Sequence, residues 1–199
     1  MASLMIPAPT VPTPQPVRHR TAEISPCDRY RYRLTREWDD ARPPATFVML
    51  NPSTADADQD DATVRKCIRY AQRWACGSLV VVNLFAWRST DPRRLPTGPE
   101  AVGPDNDGWL SQAALDALDS GGPLVAAWGA HSTRQPRSGG SELPGLEVLT
   151  VEQRVADVLT LPGMGRLTAL SVTRDGHPGH PLYLRSEARL VAWSPRVGC

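Results

Sequence analysis

Carboxylates, carboxamides and imidazoles are grouped in this chain at a few short polar stretches. The densest is Asn51-Pro52-Ser53-Thr54, followed by Asp56, Asp58, Asp60 and Asp61. Carboxylates packed so closely can hold a water or stabilise a developing positive charge. Asp61 suits a plainer task, since it stands just before a helical pattern and can cap it. Asn83 offers one acceptor and two donors at the end of an apolar run. Such a group either ties down a loop or reads the hydrogen-bonding edge of a base. Three of the four histidines, His131, His177 and His180, also follow apolar runs. A neutral imidazole there can donate to an oxygen that gains negative charge.

These groups need elements that bring them together. Thr46 to Leu50 reads as a buried strand, and Pro52 ends it because it has no N–H for the ladder. Val64, Cys67, Ile68, Ala71 and Trp74 then recur at helical spacing, with Gly77 as the stop. Leu79 to Leu84 is a β-branched run of the kind covered on both faces. A helix is expected from Gly108 to about Leu118, capped by Asp105 or Asp107, and a third strand from Leu124 to Trp128. Arg134 to Gly145 reads as a mobile loop, and a further helix falls between Leu149 and Leu161. Leu167 to Val172 is the fourth strand. Tyr30 to Trp38 alternates as an edge strand or hairpin arm. Alternating strands and helices predict an α/β fold, a three-layer α/β/α sandwich on a central four-stranded, mainly parallel sheet. In such a sheet the four polar turns meet at one edge, where ligands bind.

Length and composition suit one domain, here residues 21–199, behind a disordered Pro-rich tail, residues 1–20, that carries Pro7, Pro9, Pro12, Pro14 and Pro16. The net charge of +1 neither demands nor excludes nucleic acid. No apolar run is long enough for a membrane span, and the start lacks a secretory pattern. Cys27, Cys67, Cys76 and Cys199 are spread without a CxxC pair, as expected of reduced thiols in a cytoplasmic protein. His131, His177 and His180 with an aspartate would be the only metal set. The H-x-x-H spacing around two prolines does not hold both imidazoles on one helix face, so no metal and no other cofactor is expected.

The stretches FVMLNPSTAD, LVVVNLFAW, VAAWGAH and DGHPGHPLYL, in that order, resemble a bacterial domain family of unknown function from about Arg29 to Trp193. More distantly they resemble the uracil-DNA glycosylase superfamily. That superfamily has a G-x-N/D-P motif after its first strand, an Asn ending its second, a W-G turn after its third and an H-P-S-P-L-S-like loop after its fourth. Asn51-Pro52, Asn83, Trp128-Gly129 and His177-Pro178 with Pro181-Leu182 stand at those places. The chain also departs from the pattern. The most active branch has Asp where Asn51 stands. The uracil-specific branch has a Tyr where the smaller Ser53 stands. The iron–sulfur branch has a Cys where Trp87 stands, so no cluster is expected. The histidine loop is one residue longer, so His177 and His180 compete for one role.

The resemblance implies a uracil-DNA glycosylase-like fold and a monofunctional DNA glycosylase that acts on a flipped modified or damaged base. The candidate is a bulky 5-modified pyrimidine of phage DNA, or uracil. Asn51, Asp56, Asp58, His177 and His180 would be catalytic. Pro52, Ser53, Asn83, Phe85, Trp87 and His131 would bind the base. Arg88, Arg93 and Arg94 would meet phosphates, with Leu182 and Tyr183 as the wedge left in the stack. The expected partner is DNA, and the expected state a monomer. The alternative is a nucleic-acid or nucleotide-binding module with the same pocket and no catalysis.

Overall fold

The computed structural model describes residues 14–53, 55–130 and 149–195. Its order is β1 (His19–Ile24), β2 (Arg31–Glu37), β3 (Pro44–Met49), α1 (Ala62–Arg73), β4 (Ser78–Asn83), α2 (Asn106–Ser120), β5 (Leu124–Ala126), α3 (Val151–Leu159), β6 (Thr168–Ala169) and β7 (Val191–Ala192). All the strands join one mixed sheet in the order β1-β2-β4-β3-β5-β6-β7. The expected sheet of four is therefore too small. β4, β3, β5 and β6 are neighbours and run parallel. β1 and β2 extend one side and β7 the other, each through antiparallel pairing. Tyr30 to Trp38 is a hairpin arm, but β2 is interior, held between β1 and β4. The fourth strand shrinks to two residues.

Each face of the sheet carries an apolar core. On one face Phe47, Val81 and Val125 pack with Val64, Cys67 and Ala71 of α1. On the other, Val48, Val80, Val82 and Ala126 pack with Leu110 and Ala114 of α2 and Val158 of α3. The period of two along each strand sends alternate residues to alternate cores. The run in β4 is continuously apolar because neither side chain row meets water.

Asp61 caps α1, its carboxylate accepting from the Val64 N–H at 2.8 Å. The other end differs from the expectation. Trp74 is the C-cap, and Ala75, not Gly77, takes the left-handed conformation, at φ 58°. Gly77 is needed one step later, where a Cβ would fall 1.7 Å from the carbonyl oxygen of Asp39. Asp105 precedes α2, though its side chain makes no capping bond.

The Pro-rich tail divides. Residues 1–13 lie outside the described part. From Gln15 the chain is packed: its carbonyl accepts from Gln72 Nε2 at 2.7 Å, Val17 joins the α1-side core, and β1 opens at His19. The loop expected from Arg134 to Gly145 also lies outside the described residues.

Candidate functional site at the carboxyl edge of the parallel strands

Asn83 sits at the end of β4, opposite Met49 of β3. Val81 belongs to the α1-side core and Val82 to the other, so alternation turns Asn83 to the α1 side. It is 1% exposed, and neither its Nδ2 nor its Oδ1 has a hydrogen-bond partner among the described residues. Its main chain, by contrast, is firmly held. Asn106 Nδ2 donates to the Asn83 and Leu84 carbonyls at 3.0 and 3.1 Å, and Arg154 Nε donates to the Leu84 carbonyl at 2.7 Å. A strand end fixed by two buried side chains thus presents an unused carboxamide.

Asn51 lies beside it in the sheet, two residues past Met49. The segments leaving β3 and β4 stay paired, with Leu84 N–H donating to the Met49 carbonyl and Phe85 N–H to the Leu50 carbonyl. Both Asn51 donors are committed: Nδ2 gives 2.9 Å bonds to the carbonyls of Pro52 and Ser89. Ser89 N–H returns a bond to the Pro52 carbonyl. Pro52 is buried and Ser53 half-buried. Only the Asn51 carbonyl oxygen is left uncommitted by these ties.

The acidic loop is gripped by arginines that sequence reading overlooked. Arg36 is fully buried and all its nitrogens are used. Nε donates to Asp60 Oδ1 at 2.6 Å, Nη1 to the carbonyls of Thr21 and Thr35, and Nη2 to those of Asp56 and Gln59. Arg20 adds a second ion pair to Asp60 at 2.8 Å. Arg31, 3% exposed, reaches the Ala55 carbonyl through Nη1. Asp56 closes a turn instead of standing free. Its Oδ1 accepts from the N–H groups of Gln59 and Asp58, and those bonds hold its carboxyl below the usual range. Asp58 is exposed on the loop. The only trace of this clamp in the sequence is arginine within an alternating strand, YRYRLTREW.

The two histidines separate. After β6 the chain folds back on itself, with Thr173 N–H donating to the His177 carbonyl and Gly179 N–H to that of Ser171. His177 lines a cavity of about 460 Å³ with Trp128, Val155, Leu159 and Trp193, beside α3. His180 instead opens a 3-10 turn, Pro181–Tyr183, that packs against α1. The chain continues along that helix, since Tyr70 Oη donates to the Arg185 carbonyl at 2.6 Å. His180 is therefore the histidine on the side of Asn83. Its Nδ1 accepts from the Leu182 N–H at 3.3 Å, which assigns the proton of the neutral ring to Nε2.

The other expected site residues fall as follows. Phe85 is fully buried in the core on the α2 side, and Trp87 packs against that core, edge-on to Tyr30. Arg88 pairs with Asp28 and the exposed Arg93 with Asp91, while Arg94 is exposed. Leu182 is 38% and Tyr183 79% exposed, so neither is core packing. β5 leaves through Trp128 and Gly129, the latter at φ 81°, a conformation glycine adopts freely. His131, which follows, lies outside the described residues. No cluster of three or more histidine, cysteine or acidic side chains able to hold a metal is gathered among the described residues. No helix among them is long and apolar enough to cross a membrane. A cavity of about 750 Å³ between α2 and α3 is lined by Tyr30, Gly103, Asp107 and Arg154, and Asn83 is not part of its lining.

Residues 31–182 match the model of a protein family of unknown function, DUF1643. The match spans most of the chain, and the protein belongs to that family. It begins at Arg31 and ends at Leu182, so it includes Arg31, Arg36, Asn51, the acidic loop, Asn83 and both histidines His177 and His180, while Arg20 and Tyr183 fall outside it. No curated protein and no solved structure matches.

Proposed function

We propose that the protein is a monofunctional DNA glycosylase with a uracil-DNA glycosylase-like α/β/α domain, acting on a flipped modified or damaged base. The observation that carries this reading is the carboxamide of Asn83, buried at the end of β4 with both polar atoms unpartnered among the described residues. Buried polar groups in native proteins are almost always paired. One left open at the ligand edge of a parallel sheet suits a partner that arrives with its own donor and acceptor, as a base edge does. Asn51 and His180 on the same side fit the companion tasks. The Asn51 oxygen can accept from a water aimed at C1′ of the sugar. The Nε2–H of His180 can donate to the base oxygen as the glycosidic pair leaves with the base. The bond from C1′ to the base nitrogen breaks, the water oxygen bonds to C1′, and the water's proton is released. Asp56, kept ionised by its two N–H donors, would offset positive charge on the sugar. With Asn83 buried, the base would enter beneath the loop from Pro52 to Asp61. The exposed Tyr183 and Leu182 fit the wedge, and Arg93 and Arg94 the phosphates. The reading places the protein in the cytoplasm as a monomer, in repair or in defence against modified phage DNA.

One observation favours the non-catalytic alternative. Asp56, Asp60 and Asp61 are all engaged in holding the loop, which leaves the exposed Asp58 as its one carboxylate outside those bonds. Incubating single- and double-stranded oligonucleotides that carry uracil or 5-modified cytosines, then cleaving abasic sites with alkali, decides between them. Strand breaks at one base support the enzyme. Salt-dependent binding with every base left attached supports the module.

A further inference from the structure

Arg31 and Arg36 are both buried, but they are used in opposite ways. Arg36 spends every nitrogen on the loop and on Asp60. The Arg31 side chain makes one bond, from Nη1 to the Ala55 carbonyl, and its Nε has no partner among the described residues. Among the described residues no carboxylate lies within ion-pair distance of Arg31. The nearest acids are already spoken for: Asp61 caps α1, and Asp56 holds Asp58 and Gln59. Arg88 and Arg36 add positive charge nearby. Burial brings the guanidinium down to about 10, with Asp61 and Asp56 opposing it from beyond ion-pair distance and Arg88 and Arg36 adding to it, so it remains charged at neutral pH. An unpaired buried charge is costly and persists where something else meets it.

Its position says what that is. The β1–β2 pairing slips between Glu23 and Ile24, whose partners are Arg33 and Arg31, so Tyr32 is the extra residue. A bulge shifts the alternation of a strand by one. Tyr32 therefore stacks on Trp109 of α2, while Arg31 turns to the acidic loop with Leu34 and Arg36. Arg31 N–H donates to the Ala86 carbonyl, so the residue flanks the segment leaving Asn83. Two buried side chains with unused polar atoms thus stand on neighbouring strands, one neutral and one cationic.

We propose that Arg31 is the anion-binding residue of this site, and that the ligand read by Asn83 carries an oxyanion which docks on the buried Nε side of the guanidinium. The oxyanion is the phosphate of the flipped nucleotide or a carboxylate on its base. This deepens the nucleic-acid reading above and rests on it for the identity of the neutral part. Charge-assisted bonds to arginine are strong and directional, which suits a group that must seat a nucleotide in one orientation.

The test is calorimetric binding of four probes to the full chain: deoxyuridine, its 5′-monophosphate, deoxycytidine and 5-carboxydeoxycytidine. One anionic probe should bind about tenfold or more tightly than its neutral counterpart. The monophosphate advantage identifies the phosphate as the source, and the carboxyl advantage identifies the base substituent. Arg31→Met should abolish that advantage while melting at or above the wild-type temperature, since it removes an uncompensated charge. Arg31→Lys, which keeps the charge and loses the fork, should forfeit most of it and serves if the Met variant does not fold. Equal binding of each anionic and neutral pair by the wild type, or an advantage that survives both variants, overturns the assignment. An Arg31-dependent anion preference without base release on oligonucleotides would leave Arg31 in place and remove the glycosylase. Base release that is indifferent to Arg31 would do the reverse.

Discussion

Asn83→Leu should make the protein more stable and useless. Both polar atoms of the Asn83 amide are buried without a partner among the described residues, while its main-chain carbonyl is held by Asn106. An unsatisfied buried polar group costs about 1–3 kcal/mol. Leucine removes the donors and the acceptor and keeps the branched shape, with larger methyl groups at its ends. Overpacking of that kind costs about 1 kcal/mol at the low end of its usual range. The net expectation is a gain of about 0–2 kcal/mol. For a chain of this size that corresponds to a rise of up to about 8 °C in melting temperature. Urea denaturation followed by tryptophan fluorescence measures the gain, and the oligonucleotide assay measures the lost function. A structural Asn, one whose amide ties down the strand end, behaves oppositely. Its replacement breaks a buried network and lowers the urea midpoint. A midpoint below the wild type would therefore refute the claim that this carboxamide is kept open for a ligand.

Arg36→Ala should destabilise the fold by about 3–5 kcal/mol, because it strips a buried partner from Asp60 and from four carbonyls; chemical denaturation reads the loss. His180→Ala should slow base release by about 10²–10³, the usual loss for an oxyanion donor, in single-turnover kinetics. His177→Ala, facing the cavity beside α3, should leave the rate nearly unchanged, and equal losses would contradict the division between the two faces. Cys27 should alkylate in the folded protein with a midpoint near pH 7, since bonds from the Ser25 hydroxyl and then the Arg29 N–H favour its thiolate. Cys76, raised to about 11 by burial, and the fully buried Cys67, raised further, should resist the same reagent until the chain unfolds; peptide mapping across pH distinguishes the three.

Composition and pattern determined the parts of this protein that depend on near neighbours along the chain. The β-branched run of β4, the helical stripe of α1 with Asp61 as its cap, and the polar turn after each parallel strand follow from local alternation and local bonds. Asn51 and Asn83 could be singled out because a carboxamide at the end of an apolar run is conspicuous in one dimension. Tertiary structure decided the rest. Gly77 looks like a helix stop, yet its role is to let the chain pass the Asp39 carbonyl, nearly forty residues upstream. Asp56 and Asp60 look like free carboxylates until Arg36, from a different strand, is seen to claim the loop. His177 and His180 are three residues apart and cannot be ranked by spacing. The reversal at Gly179 puts one against α3 and the other against α1. Arg31 is the extreme case. A bulge, which no periodicity announces, turns it toward the loop and the end of β4. That no carboxylate pairs with it among the described residues is a property of three-dimensional surroundings alone: a charge is paired or unpaired only with respect to what the fold brings within a few ångströms of it.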